Sequence, residues 1–145
     1  MNTLQPYADK HFAHGQPTLA QVAALAEEGV RTVINLRAPE EPVDFEEAAE
    51  VAALGLHYIA LPIAGAADLD AARVRQFGTA LDEARRQGGV LIHCASGNRV
   101  GALVALDEAF NRGASLQDAL AQGRAAGLTV LEPVVTALIE GKHLT

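Results

Sequence analysis

The chain has 145 residues and a formal net charge of −7; half of its residues are hydrophobic and 20% are charged. This composition supports a folded core and excludes a disordered or collagen-like chain, and the acidic balance argues against broad binding to nucleic acid or anionic membranes. Because the chain has one cysteine, it can form neither an intrachain disulfide nor an all-cysteine metal cluster.

Short apolar runs of strand length recur along the chain and alternate with longer helical stretches. The first of them, Phe12-Ala13, is predicted as an edge strand. Three further runs, rich in β-branched and apolar residues, predict buried strands over residues 32–36, 56–61 and 90–93.

Helix-start signals mark the stretches between the strands. Thr18 and Gln21 form a capping-box pattern ahead of a predicted helix over residues 19–28. Asp44 and Glu47 form a similar pattern ahead of a helix that Gly55 ends. The remaining helices are predicted over residues 70–86, 99–111, 132–139 and a stretch that begins at Ser115.

Alternating strands and helices predict an α/β fold over residues 1–145: a single domain whose central, mainly parallel sheet of four or five strands is flanked by helices. Ligands of such folds bind beyond the carboxyl ends of the strands. We therefore expect the loops after Leu36, Leu61 and His93 to share one rim of the sheet.

The segment that carries chemistry begins at the end of the last predicted strand, with His93 and Cys94. A short polar loop follows, and a helix is predicted to start near Arg99. Successive backbone amides in such a loop form a nest for an anion, and the helix amino terminus adds its dipole. The same field favours the thiolate of Cys94, and Arg99 can bind two oxygens of a tetrahedral anion. A lone cysteine at a strand end is often only a small buried hydrophobe, but the joint pattern predicts phosphoryl transfer through a phosphocysteine.

At these residues the chain resembles the cysteine-dependent tyrosine and dual-specificity phosphatases, and more closely the bacterial phosphatase-like domains named after beta-lactamase hydrolase-like proteins. Weaker matches extend upstream, over residues 14–18, 29–37, 55–58 and 61–63. The resemblance implies a cysteine-phosphatase-like fold, Cys94 as nucleophile and Arg99 as the clamp on the phosphoryl oxygens. It also implies a phosphate cradle made by the amides of Ala95, Ser96, Gly97, Asn98 and Arg99.

Two features depart from the phosphatase signature. Four residues separate Cys94 from Arg99 where the signature has five, so the nest is smaller. Val100 stands where a serine or threonine usually helps the cysteine leave the intermediate, and Ser96 is the nearby hydroxyl that can substitute. We therefore expect slow turnover.

A general acid must protonate the leaving oxygen. The resemblance implies an aspartate in the loop before residue 71, where Asp68 and Asp70 are available. Either can instead be a helix N-cap; Asp68 is our choice of acid because Asp70 suits the cap better. Asp44 or Glu41 are alternatives beyond the first buried strand.

Two other side chains lie close to the predicted rim. His93 is expected to orient the loop through hydrogen bonds rather than to act as acid or base. Arg37 is expected either to bind a substrate anion or to form an ion pair with Glu40 or Glu41.

The remaining histidines lack metal-ligand spacing, so we expect no metal and no cofactor. The expected partner is a phosphorylated protein or a small phosphomonoester, with no nucleic acid and no membrane; the sequence does not indicate an oligomeric state. Lacking a signal-peptide pattern and any long apolar run, the chain is expected in the cytoplasm.

Two other functions compete with a cysteine-dependent phosphomonoesterase. A rhodanese-like sulfurtransferase would carry a persulfide on Cys94, and the four-residue loop favours it. A non-catalytic phosphate-binding module is favoured by Val100 and by the undetermined acid.

Overall fold

The computed structural model of the protein describes residues 6–38, 46–141 and 144. Within these residues five strands form one sheet: β1 (Pro6–Ala8), β2 (His11–His14), β3 (Val30–Asn35), β4 (His57–Ala60) and β5 (Gly89–His93). They pair in the order β1-β2-β5-β3-β4, and every neighbouring pair is parallel except β1 with β2. The predicted α/β fold with a mainly parallel sheet is confirmed.

Helices cover both faces of this sheet. They are α1 (Leu19–Glu27), α2 (Glu47–Ala53), α3 (Ala71–Gln87), α4 (Asn98–Leu106), α5 (Leu116–Ala125) and α6 (Glu132–Gly141). On one face Val33 and Leu91 pack with residues of α1 and α2, and on the other Ile34 and Ile92 pack with α3 to α6. Successive strand residues point to opposite faces, so these continuous apolar runs fill two cores at once.

Three of the predicted helix caps are present: those at Thr18, Asp70 and Ser115. Thr18 Oγ1 accepts from the Gln21 amide at 3.1 Å, and Gln21 Oε1 accepts from the Thr18 amide at 2.9 Å, which completes the capping box of α1. Asp70 caps α3 and Ser115 caps α5, each through its side-chain oxygen.

Three details of the chain trace differ from the sequence predictions. The strand at Phe12 is interior rather than an edge, because Pro6–Ala8 turns back and pairs with it. Helix α2 begins at Glu47 with Glu46 as its N-cap, later than an Asp44 cap would start it, and Asp44 lies outside the described residues. Helix α4 ends at Leu106 and continues as a π-helical turn over Asp107–Asn111.

None of the helices in the described ranges combines the length and the apolar character needed to cross a bilayer.

Candidate active site

The carboxyl ends of the parallel strands meet at one rim, as predicted. His93, the last residue of β5, lies in register with His14 of β2 and Asn35 of β3. Hydrogen bonds continue just beyond the ends of these strands: the Cys94 amide donates to the His14 carbonyl at 3.2 Å, and the Leu36 amide donates to the His93 carbonyl at 2.9 Å.

Cys94 opens the segment that joins β5 to α4, and its side chain is fully buried. The Gly97 amide donates to Cys94 Sγ at 3.0 Å. Gly97 has φ of 92°, in the left-handed region that favours glycine, and it is followed directly by α4. Ala95 and Ser96 are exposed, and their amides meet no acceptor in the described part of the chain. The sulfur thus accepts from one backbone amide at the positive end of a helix, and the segment offers two further amides, an arrangement that stabilises an anion.

Arg99 lies in the first turn of α4 and reaches the segment after β4. Its Nη1 donates to the Ile63 carbonyl at 2.7 Å, and the Ile63 amide donates to the Leu36 carbonyl at 2.8 Å. The guanidinium is therefore anchored to the segment that carries the predicted acid.

The two candidate acids occupy different positions after β4. Asp70 is the N-cap of α3: its Oδ1 accepts from the Arg73 amide at 2.8 Å, and its other oxygen pairs with the Arg73 guanidinium. Asp68 accepts from the Ala64 amide at 2.8 Å and has one oxygen 3.6 Å from Arg73 Nη1. Since Ala64 follows Ile63, the Asp68 carboxylate is tied next to the residue that holds Arg99.

A buried polar network lies on the other side of the Cys94 segment. His93 Nε2 contacts Glu47 Oε2, and both side chains are almost wholly buried. Glu47 Oε1 accepts from Gln16 Nε2 at 3.0 Å, and Gln16 Oε1 accepts from Arg37 Nη1 at 2.6 Å. His93 thus makes a side-chain hydrogen bond, and Arg37 is connected to it through Gln16 and Glu47.

The contacts of Glu47 set its protonation. Burial alone would raise the pKa of this carboxyl, but the hydrogen bonds from His93 and Gln16, with the nearby charge of Arg37, hold its pKa below the ordinary value of 4.5. The network therefore holds a buried carboxylate at neutral pH.

Asn98 fastens the amino end of α4 to the segment between α5 and α6. Its Oδ1 accepts from the Thr129 amide at 2.9 Å and from the Leu131 amide at 3.2 Å. Next to it Val100 is fully buried, so that its side chain belongs to the core. These contacts fix where α4 begins and hence where the Cys94 segment ends.

Sequence reasoning missed Glu47 and Gln16 as parts of this rim. The sequence indicates Glu47 only as half of a helix-start pattern, and Gln16 only as part of the weak family match over residues 14–18. The place of Glu47 at the rim follows from its contact with His93, which is 46 residues away, and no local sequence signal encodes that contact. Glu40 and Glu41, the suggested ion-pair partners of Arg37, lie outside the described residues.

Comparison with known proteins agrees with this architecture. Residues 5–130 match the model of the family described as DSP-PTPase phosphatase fused to NAD+ kinase. The chain is 33% identical over 117 residues to a beta-lactamase hydrolase-like protein of Xylella fastidiosa, a match that covers 78% of this chain and 26% of that protein. The chain thus spans about a quarter of the length of the curated relative it matches.

Solved structures share the fold. A DUF442 protein of Shewanella putrefaciens CN-32 superposes with a TM-score of 0.73 at 20% identity, covering 99% of this chain and 92% of that one. TpbA of P. aeruginosa gives a TM-score of 0.72 at 23% identity, covering 92% and 80%. The predicted resemblance is confirmed: because the family model covers most of its length, the chain belongs to the DSP-PTPase-like phosphatase family described as fused to NAD+ kinase.

Proposed function

We propose that the protein is a cysteine-dependent phosphomonoesterase that acts through a phosphocysteine on Cys94. The observation that carries the proposal is the Gly97 amide donating to Cys94 Sγ at 3.0 Å, at the amino end of α4. A sulfur that accepts from a backbone amide at a helix amino terminus is suited to carry negative charge and to attack phosphorus. Family membership supports the same chemistry.

In the first step Cys94 Sγ attacks phosphorus, and the bond from phosphorus to the ester oxygen breaks. The amides of residues 95–99 and the Arg99 guanidinium bind the non-bridging oxygens, whose charge they stabilise in the transition state. Arg99 suits this role because its planar donors match two oxygens at once. Its Nη1 is anchored on the Ile63 carbonyl, which limits the positions that the guanidinium can take.

Asp68 gives its proton to the leaving ester oxygen. Of the two candidates, Asp70 is committed to capping α3 by its bond to the Arg73 amide, whereas Asp68 lies in the segment that holds Arg99. In the second step water attacks phosphorus, Asp68 takes the proton of that water, and the Cys94 thiolate leaves with release of inorganic phosphate.

The second step is the slower one. Val100 is buried and offers no hydroxyl to help the thiolate leave. The exposed hydroxyl of Ser96, inside the loop, assists the departure of the thiolate instead. Phosphocysteine should therefore accumulate during turnover.

The substrate class is a phosphorylated protein or a small phosphomonoester. The P. aeruginosa neighbour has been crystallised with phosphotyrosine, which supports a monoester of this kind. The scheme requires no metal, so that turnover should persist in the presence of a chelator.

The test is hydrolysis of p-nitrophenyl phosphate by the reduced protein, with Cys94→Ser, Arg99→Ala and Asp68→Asn beside the wild type. Arg75→Ala is the matched control for Arg99, because Arg75 is exposed on α3. Loss of turnover in Cys94→Ser and Arg99→Ala, with Arg75→Ala unchanged, supports the proposal. Undiminished turnover in Cys94→Ser contradicts it.

A folded wild-type protein without turnover also contradicts the proposal. Sulfur transfer from thiosulfate to cyanide would then identify a sulfurtransferase. Binding of inorganic phosphate without either reaction would identify a binding module.

A further inference from the structure

Glu47 is a buried carboxylate that the proposed chemistry does not use. Its side chain is 4% exposed, and its two oxygens are directed at two different partners, His93 and Gln16. A buried ion pair is weak support for stability, since apolar residues of similar size often stabilise a fold as well. What such a pair does provide is a fixed geometry for the groups it touches.

Both partners of Glu47 are attached to the Cys94 segment. His93 directly precedes Cys94 in the chain. The backbone amide of Gln16 donates to the Ala95 carbonyl at 3.3 Å. The two residues therefore hold the segment from β5 and from the loop after β2.

The neighbouring backbone allows little movement at this point. A Cβ on Gly15 would stand 2.6 Å from the Ala95 carbonyl oxygen, closer than real Cβ atoms approach. A shift of the loop after β2 would therefore be passed directly to the Cys94 segment.

Arg37 fixes which way the Gln16 amide faces. Because a guanidinium only donates, the Gln16 oxygen must face Arg37 and its NH2 must face Glu47. The Glu47 carboxylate only accepts, so Nε2 of His93 carries the proton that they share. The three hydrogen bonds that join Arg37, Gln16, Glu47 and His93 thus have set directions.

We propose that Glu47 is the positioning residue of the Cys94 segment, acting through His93 and Gln16 at once. Its effect on catalysis rests on the proposed function, but its effect on the conformation of the segment does not. A glutamine at this position has the same shape but one acceptor oxygen. It can satisfy one partner and must turn an NH2 toward the other.

The direct test is the backbone and imidazole NMR spectrum of Glu47→Gln. The amide resonances of Ala95, Ser96 and Gly97 should shift, and His93 should lose the pattern of a ring protonated at Nε2. Glu46→Gln is the matched control, since it removes a carboxylate from the adjacent, exposed position at the start of α2. That variant should leave the same resonances in place.

A second variant covers the case in which Glu47→Gln does not fold. Gln16→Met removes one partner from a half-buried position and leaves the Glu47–His93 contact intact. It should shift the Ala95 amide resonance while His93 keeps its protonation pattern. The proposal is overturned if the amide resonances of Ala95–Gly97 do not shift in Glu47→Gln or in Gln16→Met, whichever of the two variants folds.

Turnover gives the functional consequence. For Glu47→Gln we expect the kcat on p-nitrophenyl phosphate to fall about 10- to 100-fold with a smaller change in KM, the loss typical of a displaced reacting group. If the wild type is inactive while the resonances shift as described, the phosphatase proposal fails and the positioning role stands. If the wild type is active and neither the resonances nor kcat respond, the positioning role fails alone.

Discussion

The two carboxylates that are buried in the described part of the chain have different kinds of partners. Asp107, in the π-helical turn after α4, is fully buried, and its oxygens accept from Asn111 at 2.7 Å and Arg112 at 3.2 Å. Glu47 accepts from His93, 46 residues away, and from Gln16, 31 residues away. Asp107 therefore connects residues of one turn, whereas Glu47 connects segments that are far apart in sequence and close only in the folded chain.

A buried carboxylate whose partners lie in its own turn is expected to stabilise that turn, whereas one whose partners are distant in sequence is expected to position them. The partners of Asp107 lie in its own turn, and Arg112 extends the set to Asp82 of α3 at 2.8 Å. The partners of Glu47 both adjoin the Cys94 segment. Breaking the first set should cost folding free energy, whereas breaking the second should cost turnover.

The largest expected effect on stability is that of Asp107→Ala. Removing one partner of a buried pair leaves the other uncompensated, and the free energy of unfolding should fall by about 3 kcal/mol. Urea unfolding measures this loss, and kcat per folded molecule should stay unchanged. Asp82→Ala, at an exposed pair, should lose less than about 1 kcal/mol. Equal losses of unfolding free energy in the two variants would show that the burial of Asp107 does not make its ion pair more important for stability than the exposed pair of Asp82.

Gly15→Ala should affect both stability and turnover. The added methyl group meets the Ala95 carbonyl oxygen at 2.6 Å, and overpacking of this kind costs about 1–3 kcal/mol. Because the strain falls on the Cys94 segment, kcat should fall as well. Gly65→Ala is the matched control, since nothing lies within 4 Å of the added carbon. Full activity in Gly15→Ala would show that the segment tolerates displacement.

The acid side of the stability profile should depend on Glu47. Its pKa is lowered in the fold, so its contribution is present above the ordinary value of 4.5 and is lost as pH falls through the folded value. Three charged or titratable side chains interact electrostatically with the Glu47 carboxylate: His93, Arg37 and Tyr58. The stability difference between wild type and Glu47→Gln, from urea unfolding, should therefore shrink below pH 4.5. Glu46→Gln should show no such change, and a pH-independent difference for Glu47→Gln would contradict the assignment of a carboxylate.

Thr18→Ala is expected to lower stability a little and to have the smallest effect on turnover. The capping box of α1 begins two residues after Gln16, and losing a cap costs about 1 kcal/mol. Since no bond of Thr18 reaches Glu47 or His93 within the described residues, kcat should not change. A turnover defect measured in this variant would extend the sensitive region beyond the four-residue network.

Local signals in the sequence predicted most of the fold. Thr18 with Gln21, Asp70 and Ser115 sit at the helix starts they predicted, because caps depend on residues three positions apart. The buried strand before Cys94 followed from its continuous apolar run. β1 was missed because it has three residues and begins with proline, which breaks strand patterns and is tolerated at an edge.

The candidate site was predictable only in part. Cys94, Gly97 and Arg99 are close in sequence, so their meeting at one loop follows from a strand-to-helix turn. The contacts of Glu47 with His93, and of Arg99 with the Ile63 carbonyl, join residues more than thirty positions apart. Such pairings depend on the register of β5 with its neighbours, which composition and spacing do not encode.

The proposed function requires Cys94 to carry the phosphoryl group during turnover. Rapid quenching in alkaline detergent during hydrolysis of a radiolabelled phosphomonoester, followed by peptide mapping, measures whether it does. We expect label on the peptide that contains Cys94 and none in Cys94→Ser. Steady turnover by the wild type with no label on that peptide at any quench time would rule out the phosphocysteine.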